Sequence, residues 1–198
     1  MEKIKVRQQA KKHIYVHNDL SNAAHHFNKK VNERLVNNDR EGIAFDILAE
    51  LIFLAFTIEA KTNFLGNRLV AGWNEWRPFF TKLKHVLKHL ALNVDFNTRP
   101  YSTIRTLKDL RDSLAHGKPL HLERDEEAIV DANEADKSID LSADWESYFN
   151  EEFANQAYED VNEIWKQLLS ASKLSLFETL SGGEQSITFI EKVIDQEA

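Results

Sequence analysis

Ile43-Ala44-Phe45-Asp46-Ile47-Leu48-Ala49-Glu50-Leu51-Ile52-Phe53-Leu54-Ala55-Phe56-Thr57-Ile58-Glu59-Ala60 is the longest apolar stretch of the chain. Three acids, Asp46, Glu50 and Glu59, interrupt it, so it reads as a buried helix rather than a membrane span. The helical pattern runs from about Glu41 to Val70 and is apolar on nearly every side. Such a helix needs protein all round it, which implies a helical bundle, a dimer interface, or both. It is the expected centre of the fold.

Working outward, the segment from about Lys5 to Asn37 is polar, with Phe27, Val31 and Leu35 spaced four apart as a narrow stripe on a first helix. Beyond the central helix, Gly72 to Arg77 forms a break. Pro78 suits the first turn of a third helix reaching about Leu92, because its missing N–H has no helical partner there anyway. Asn93 to Arg99 reads as a loop. Past Pro100, Ser102 or Thr103 can cap a fourth helix, which stops at Gly117. Lys118 to Lys137 mixes an alternating Leu120-His121-Leu122-Glu123 run with acids and reads as an irregular excursion or small hairpin. Asp144 can cap a long fifth helix to about Ser172, with Trp145, Phe149, Phe153, Ala157, Val161 and Ile164 on one face. A turn at Gly182-Gly183 precedes Ile187 to Ile194, a short strand or helix. The expected fold is all-α, a bundle of about five helices in a single domain over 1–198. Its motif-bearing core covers about 41–119, with an acidic C-terminal helix and tail at about 140–198. Only 6 Gly and 3 Pro punctuate the chain, which suits long helices.

Hydrophobic residues at 42% and charged residues at 29% disfavour disorder and a membrane class. The absence of cysteine removes disulfides, thiolate zinc sites and cysteine nucleophiles together. With a polar, basic N-terminus that carries no apolar run, this composition points to the cytoplasm. The net charge of -7 is unevenly spread. Residues 1–60 carry a net +1, residues 61–121 a net +7, and residues 122–198 a net -15. A basic middle can bind phosphate while an acidic end limits non-specific contact. A basic helix pair neutralised by an acidic neighbour explains the same numbers.

The fourth helix carries the densest chemistry. Leu107, Leu110 and Leu114 mark its core side, and Lys108, Arg111, Asp112, Ala115 and His116 fall on an arc beside it. Asp112 and His116 are four apart, so the carboxylate can hold one imidazole nitrogen. Arg111 and His116 lie about 140° apart on an ideal helix, so one copy does not join them well. Two copies packed about a two-fold axis can, and Ala115 leaves room for that approach. A fixed cation, a histidine and a positioning carboxylate suffice for metal-free phosphodiester chemistry. The competing reading is structural: Arg111 pairs with Glu59 or another buried acid, and His116 only caps a helix end.

Arg111-Asp112-Ser113-Leu114-Ala115-His116 also resembles the signature of HEPN domains. That signature is an Arg, four to six further residues and a His near a helix end, often with Asn, Asp or His directly after the Arg. The resemblance covers about Ile43 to Pro119. It implies a helical bundle and homodimers that join two motifs in one cleft. It further implies RNA as substrate, with metal-independent cleavage in active members and no cofactor. Arg111 would then bind the scissile phosphate, His116 would act as general acid or base, and Asp112 would orient them. Prokaryotic members often act as toxins or abortive-infection effectors beside an antitoxin. Other members bind RNA or nucleotides, or dimerise, without cleaving. The net-acidic chain departs from a typical RNA binder.

Several weaker signals surround the motif. Glu59 and Asn63, polar and four apart on the central helix, can orient Arg111 from behind or form an interhelix pair. Lys82, Lys84, Lys88 and Lys108 are the expected RNA-backbone cations. His85 and His89 have the spacing of a metal pair, but no acid nearby completes a site, so no metal is expected. Trp73, Trp76, Phe79 and Phe80 can stack bases but suit a core at a helix junction better. Leu180-Ser181-Gly182-Gly183-Glu184-Gln185 is similar to the signature loop of ABC-type ATPases. The chain has no P-loop to accompany it, which leaves a turn.

Overall fold

The structure, a computed structural model, describes residues 3–125, 127, 129, 131 and 141–193. In chain order the elements are β1 (Lys3–His13), α1 (Val16–Val36), α2 (Ile43–Leu69), α3 (Phe79–His89), α4 (Ser102–His116), α5 (Glu151–Ser172) and β2 (Gly182–Val193). Short 3-10 turns at Asp144–Tyr148 and Leu176–Thr179 flank α5.

α2 is the centre, as its composition requires, and α1, α3, α4 and α5 all pack on it. Its buried residues, from Asp46 and Ile47 through Leu54 and Ile58 to Leu65 and Gly66, occupy an arc of about 200° at 100° per residue. The rest of the circumference is uncovered in a single chain. Its N-terminal half is apolar, with Phe45 75% and Phe56 41% exposed and Ala49 and Ile52 half-buried between them. Its C-terminal half is polar, through Glu59, Asn63 and Asn67. Within one chain the expected cover is met on the buried arc, and this stripe is left for a partner or for solvent.

The core has two lobes, both threaded by α2, α4 and α5. One joins Ala24 and Val31 of α1 to Ile47, Leu51 and Leu54 of α2, Leu107 and Leu110 of α4, and Ala157 and Val161 of α5. The other joins Ile58 and Leu65 of α2 to Leu83 and Val86 of α3, Ile104 of α4, and Ile164 and Leu168 of α5. Burial of these aliphatic side chains, each worth about 1.5–3 kcal/mol, fixes the helices against one another. Polar clamps set their register. Lys30 and Arg34 of α1 both donate to the buried Asp46, at 2.7 and 2.9 Å. Arg99 and Thr103 at the head of α4 donate to Asp160 of α5.

Three expectations need correction. The chain is a helical bundle with a two-stranded sheet, because β1 pairs antiparallel with β2 from Lys3 opposite Val193 to His13 opposite Gly182. The first helix accordingly begins at Val16. The Lys-Ile-Lys-Val-Arg alternation of residues 3–7 gives the strand one apolar face, on which Val6 stands opposite Phe189. The fifth helix begins at Glu151, since Asn150 accepts the Phe153 N–H at 2.8 Å and Glu151 and Glu152 occupy the first turn. The excursion expected over Lys118 to Lys137 lies partly outside the described residues, and Lys118 to Asp125 form neither helix nor strand. Among the described residues, no helix is long and apolar enough to cross a membrane.

Candidate functional site

α4 ends where its sequence says it should. Gly117 takes φ +49°, a left-handed conformation that costs a side-chain-bearing residue, and its N–H bonds back to Ser113. The helix therefore stops with His116 as its last residue, exposed on the surface. Among the described residues the His116 ring makes no hydrogen bond. It lines a cavity of about 560 Å³ together with Asp109, Asp112, Ser113, Lys118, Trp145 and Tyr148.

One turn and a half earlier, Arg111 is held firmly. Its Nη1 donates to Glu59 of α2, and its Nε and Nη2 donate to Asp112 Oδ1 at 3.0 and 2.7 Å. Lys108 Nζ donates to the other oxygen of Asp112. Glu59 in turn accepts from Lys82 Nζ of α3 at 2.7 Å, and that ammonium also donates to the Glu75 carbonyl at 3.0 Å. The five side chains form one chain of charge across α2, α3 and α4. Three are cations and two are carboxylates, which leaves a net +1.

Burial alone would raise the Glu59 carboxyl, but the bonds and charges of Lys82 and Arg111 more than offset it and hold it below the usual carboxylate range. Asp112 follows the same balance: burial raises it, and Lys108 and Arg111 lower it further. Burial opposes the Arg111 charge, and its two carboxylates more than restore it. Both acids are thus ionised supports.

The arrangement corrects parts of the sequence reading. Asp112 orients Arg111 and not His116, because Lys108 and Arg111 already occupy its oxygens. Glu59 stands behind Arg111 as expected, whereas Asn63, one turn on, does not join it, and its buried Oδ1 has no hydrogen-bond partner. Lys82 leaves the set of RNA-facing cations, since it is 3% exposed and committed to Glu59. Lys84 and Lys88 are exposed on α3, and Lys108 is only partly free of Asp112. No group of three or more His, Cys, Asp or Glu suited to a metal exists among the described residues. Of the aromatic cluster, Phe79 is buried and Trp76 is 89% exposed.

Sequence reasoning missed the companions of His116. Trp145 and Tyr148 come from the 3-10 turn before α5, far along the chain, and no local pattern links them to the motif. Trp145 was expected on a core face. It does pack on the first core lobe, and it also walls the His116 cavity. Set against known proteins, the chain matches no family model, no curated protein and no solved structure.

Proposed function

We propose that this chain is a metal-independent endoribonuclease of the HEPN type, acting as a homodimer. One observation carries the proposal. The last turns of one helix carry an arginine locked by two carboxylates and, five residues on and about 140° around the axis, a histidine left free at the surface of an open cavity. Fixed charge for a phosphate and a mobile proton carrier are the two things this chemistry needs. A locked guanidinium meets the phosphate without reorganising, and the surplus positive charge of its network remains to meet an anion. In the step proposed, the RNA 2′-oxygen attacks the adjacent phosphorus and the bond to the 5′-oxygen breaks. The 2′-hydroxyl proton passes to a base, and the leaving 5′-oxygen takes one from an acid. His116 serves one of these roles and Arg111 bears the phosphorane charge.

Dimerisation is supported by the uncovered apolar stripe on α2. Phe45, Ala49, Ile52 and Phe56 lie on the same side as Glu59, one turn short of the Arg111 clamp. A second copy packed on that stripe would bring a second Arg111 and His116 toward the first. An antitoxin or other partner protein, and a cytoplasmic location, rest on the resemblance and composition alone.

A second reading is favoured by a different observation. In one chain Arg111 is engaged by Glu59 and Asp112, and His116 has no orienting partner. A non-catalytic dimerisation or RNA-binding module would keep the same features. Product analysis separates the two. The nuclease should cut single-stranded RNA in EDTA, leave 2′,3′-cyclic phosphate ends, and spare DNA of the same sequence, which lacks the attacking hydroxyl. Cleavage that EDTA stops, or DNA cut equally well, would overturn the mechanism. RNA bound but never cut would leave the module.

A further inference from the structure

Among the described residues, a second cavity is larger than the one beside His116. About 780 Å³ opens between the junction of β1 with α1 and the polar half of the uncovered α2 stripe. We infer that this cavity is a nucleobase-binding site, which holds one base of a ribonucleotide beside the Arg111 clamp. The inference extends the RNA reading of the motif and rests on it only for the strand that carries the base.

The walls have the chemistry a base requires. Tyr15 and Phe64 meet edge to face at 4.9 Å, and the half-exposed Phe56 ring stands one turn before Ala60 on the same side of α2. Flat, apolar surfaces of this kind favour a planar heterocycle over a sugar or an aliphatic chain. Besides the charged Glu59, Arg68 and Glu75, the lining carries two neutral amides. Asn63 and Asn67 lie four apart on α2, and both line the cavity. The Asn63 Oδ1 and the His17 Nε2 are buried and have no hydrogen-bond partner, and His17 is only 3% exposed. Buried polar atoms without partners are uncommon, and two on the lining of one cavity point to a ligand that supplies the bonds. Burial and nearby Lys61 push His17 down to about 4, so it stays a neutral imidazole. Two amides and a neutral imidazole, with Glu59 and Glu75 among the lining, fit the edge of a base, which exposes both donors and acceptors, better than they fit an anion.

Arg68, Glu59 and Glu75 bring charge to the lining. Arg68 is half exposed there, 3.6 Å from Glu178, and is placed to meet a phosphate. Glu59 belongs both to this cavity and to the Arg111 clamp, so a base seated here places its own phosphates within one side chain of the proposed scissile position. The volume lies within the ordinary range for small-molecule pockets.

Titration of the full-length protein with the four ribonucleoside 5′-monophosphates, read by calorimetry and ligand-observed NMR, tests the site without any cleavage. At least one should bind with a dissociation constant between about 10 μM and 1 mM. Ala60→Leu, which fills the cavity, and Asn63→Ala, which removes one amide while leaving the space, should each weaken it by about tenfold or more. The circular dichroism spectrum should not change. Competition with a short single-stranded RNA distinguishes the source of the base. Displacement of the mononucleotide by RNA assigns the cavity to the strand at Arg111. Simultaneous binding assigns it to a free nucleotide, and the base site stands in both cases. No binding by any of the four, or binding untouched by both variants, would overturn the inference. His116-dependent cleavage persisting alongside that failure would leave the nuclease reading intact.

Discussion

Glu50 and Glu59 sit nine residues apart on one helix, both withdrawn from water, and they behave in opposite ways. Glu50 is fully buried, accepts one bond from Asn28 at 2.9 Å, and has a second oxygen with no partner. Burial pushes its carboxyl up to about 7. Glu59 is less buried, but Lys82 and Arg111 reach it from two other helices, and it is held below the usual range. Burial raises both carboxyls, and cations reverse the effect only at Glu59. The difference teaches where this fold has assembled charge on purpose. Glu50 is a tolerated polar residue in a core, whereas Glu59 is the junction of three helices and the seat of the candidate phosphate-binding arginine.

Breaking the paired member should cost most. Glu59→Ala strands Lys82, which is 3% exposed, and frees one side of Arg111. Removing one partner of a buried pair costs about 3–5 kcal/mol, and denaturant unfolding should register a loss of that order. Changing Lys82 to Met in the same background should recover a large part of it, because the orphaned charge is then gone. No recovery would mean that the pair does not act as a unit.

The unpaired member should respond the other way. Glu50 has a folded value raised to about 7 from an ordinary 4.5, so between those limits the folded chain keeps a proton that the unfolded chain has released. Its contribution to stability is complete below about 4.5, falls as pH rises, and is lost above about 7. Glu50→Gln should therefore stabilise the protein at pH 8 by up to about 3 kcal/mol and make no difference near pH 4. Thermal melts of the two proteins across that range measure the crossover. An equal shift at both ends would assign the gain to packing instead of ionisation. Glu59 and Asp112 act with the opposite sign, adding stability above their ordinary values that is lost as the pH falls through their depressed ones.

The smallest stability effect is expected on the open side of the same helix. Phe45→Ser with Phe56→Ser touches exposed rings and should alter monomer stability by no more than about 0.5 kcal/mol. If the stripe is the two-fold interface, sedimentation at micromolar concentration should shift from dimer to monomer. An unshifted dimer would place the interface elsewhere.

The sequence revealed those features that local chemistry decides. The span of α2, the stop at Gly117, and the meeting of Glu59 with Arg111 followed from apolar periodicity, a glycine past a helix end, and an acid stranded in an apolar run. Long-range pairings were not legible. β1 meets β2 across almost the whole chain, so nothing in the Lys3–Arg7 alternation names its partner. The start of α5 was expected at Asp144, but the Asn150 bond from Phe153 N–H sets it six residues later. Lys82 reads with Lys84 and Lys88 as one set of RNA-backbone cations, yet its position on α3 turns it inward toward Glu59. Asp112 and His116 have the spacing to bond, but spacing cannot show that Lys108 and Arg111 hold that carboxylate first.

The central claim is that a locked Arg111 and a free His116 on one helix end cut RNA without metal. Its most direct test is the single-turnover cleavage rate of one RNA in EDTA, compared between the wild-type chain and His116→Ala. The His116 ring is exposed and makes no hydrogen bond among the described residues, so the variant should keep its fold, its sedimentation and its RNA affinity. Its rate should fall by about 10²–10⁴, the typical worth of a general acid–base group. An unchanged rate in the variant, or no cleavage by a wild-type protein that dimerises and binds the RNA, would contradict the claim.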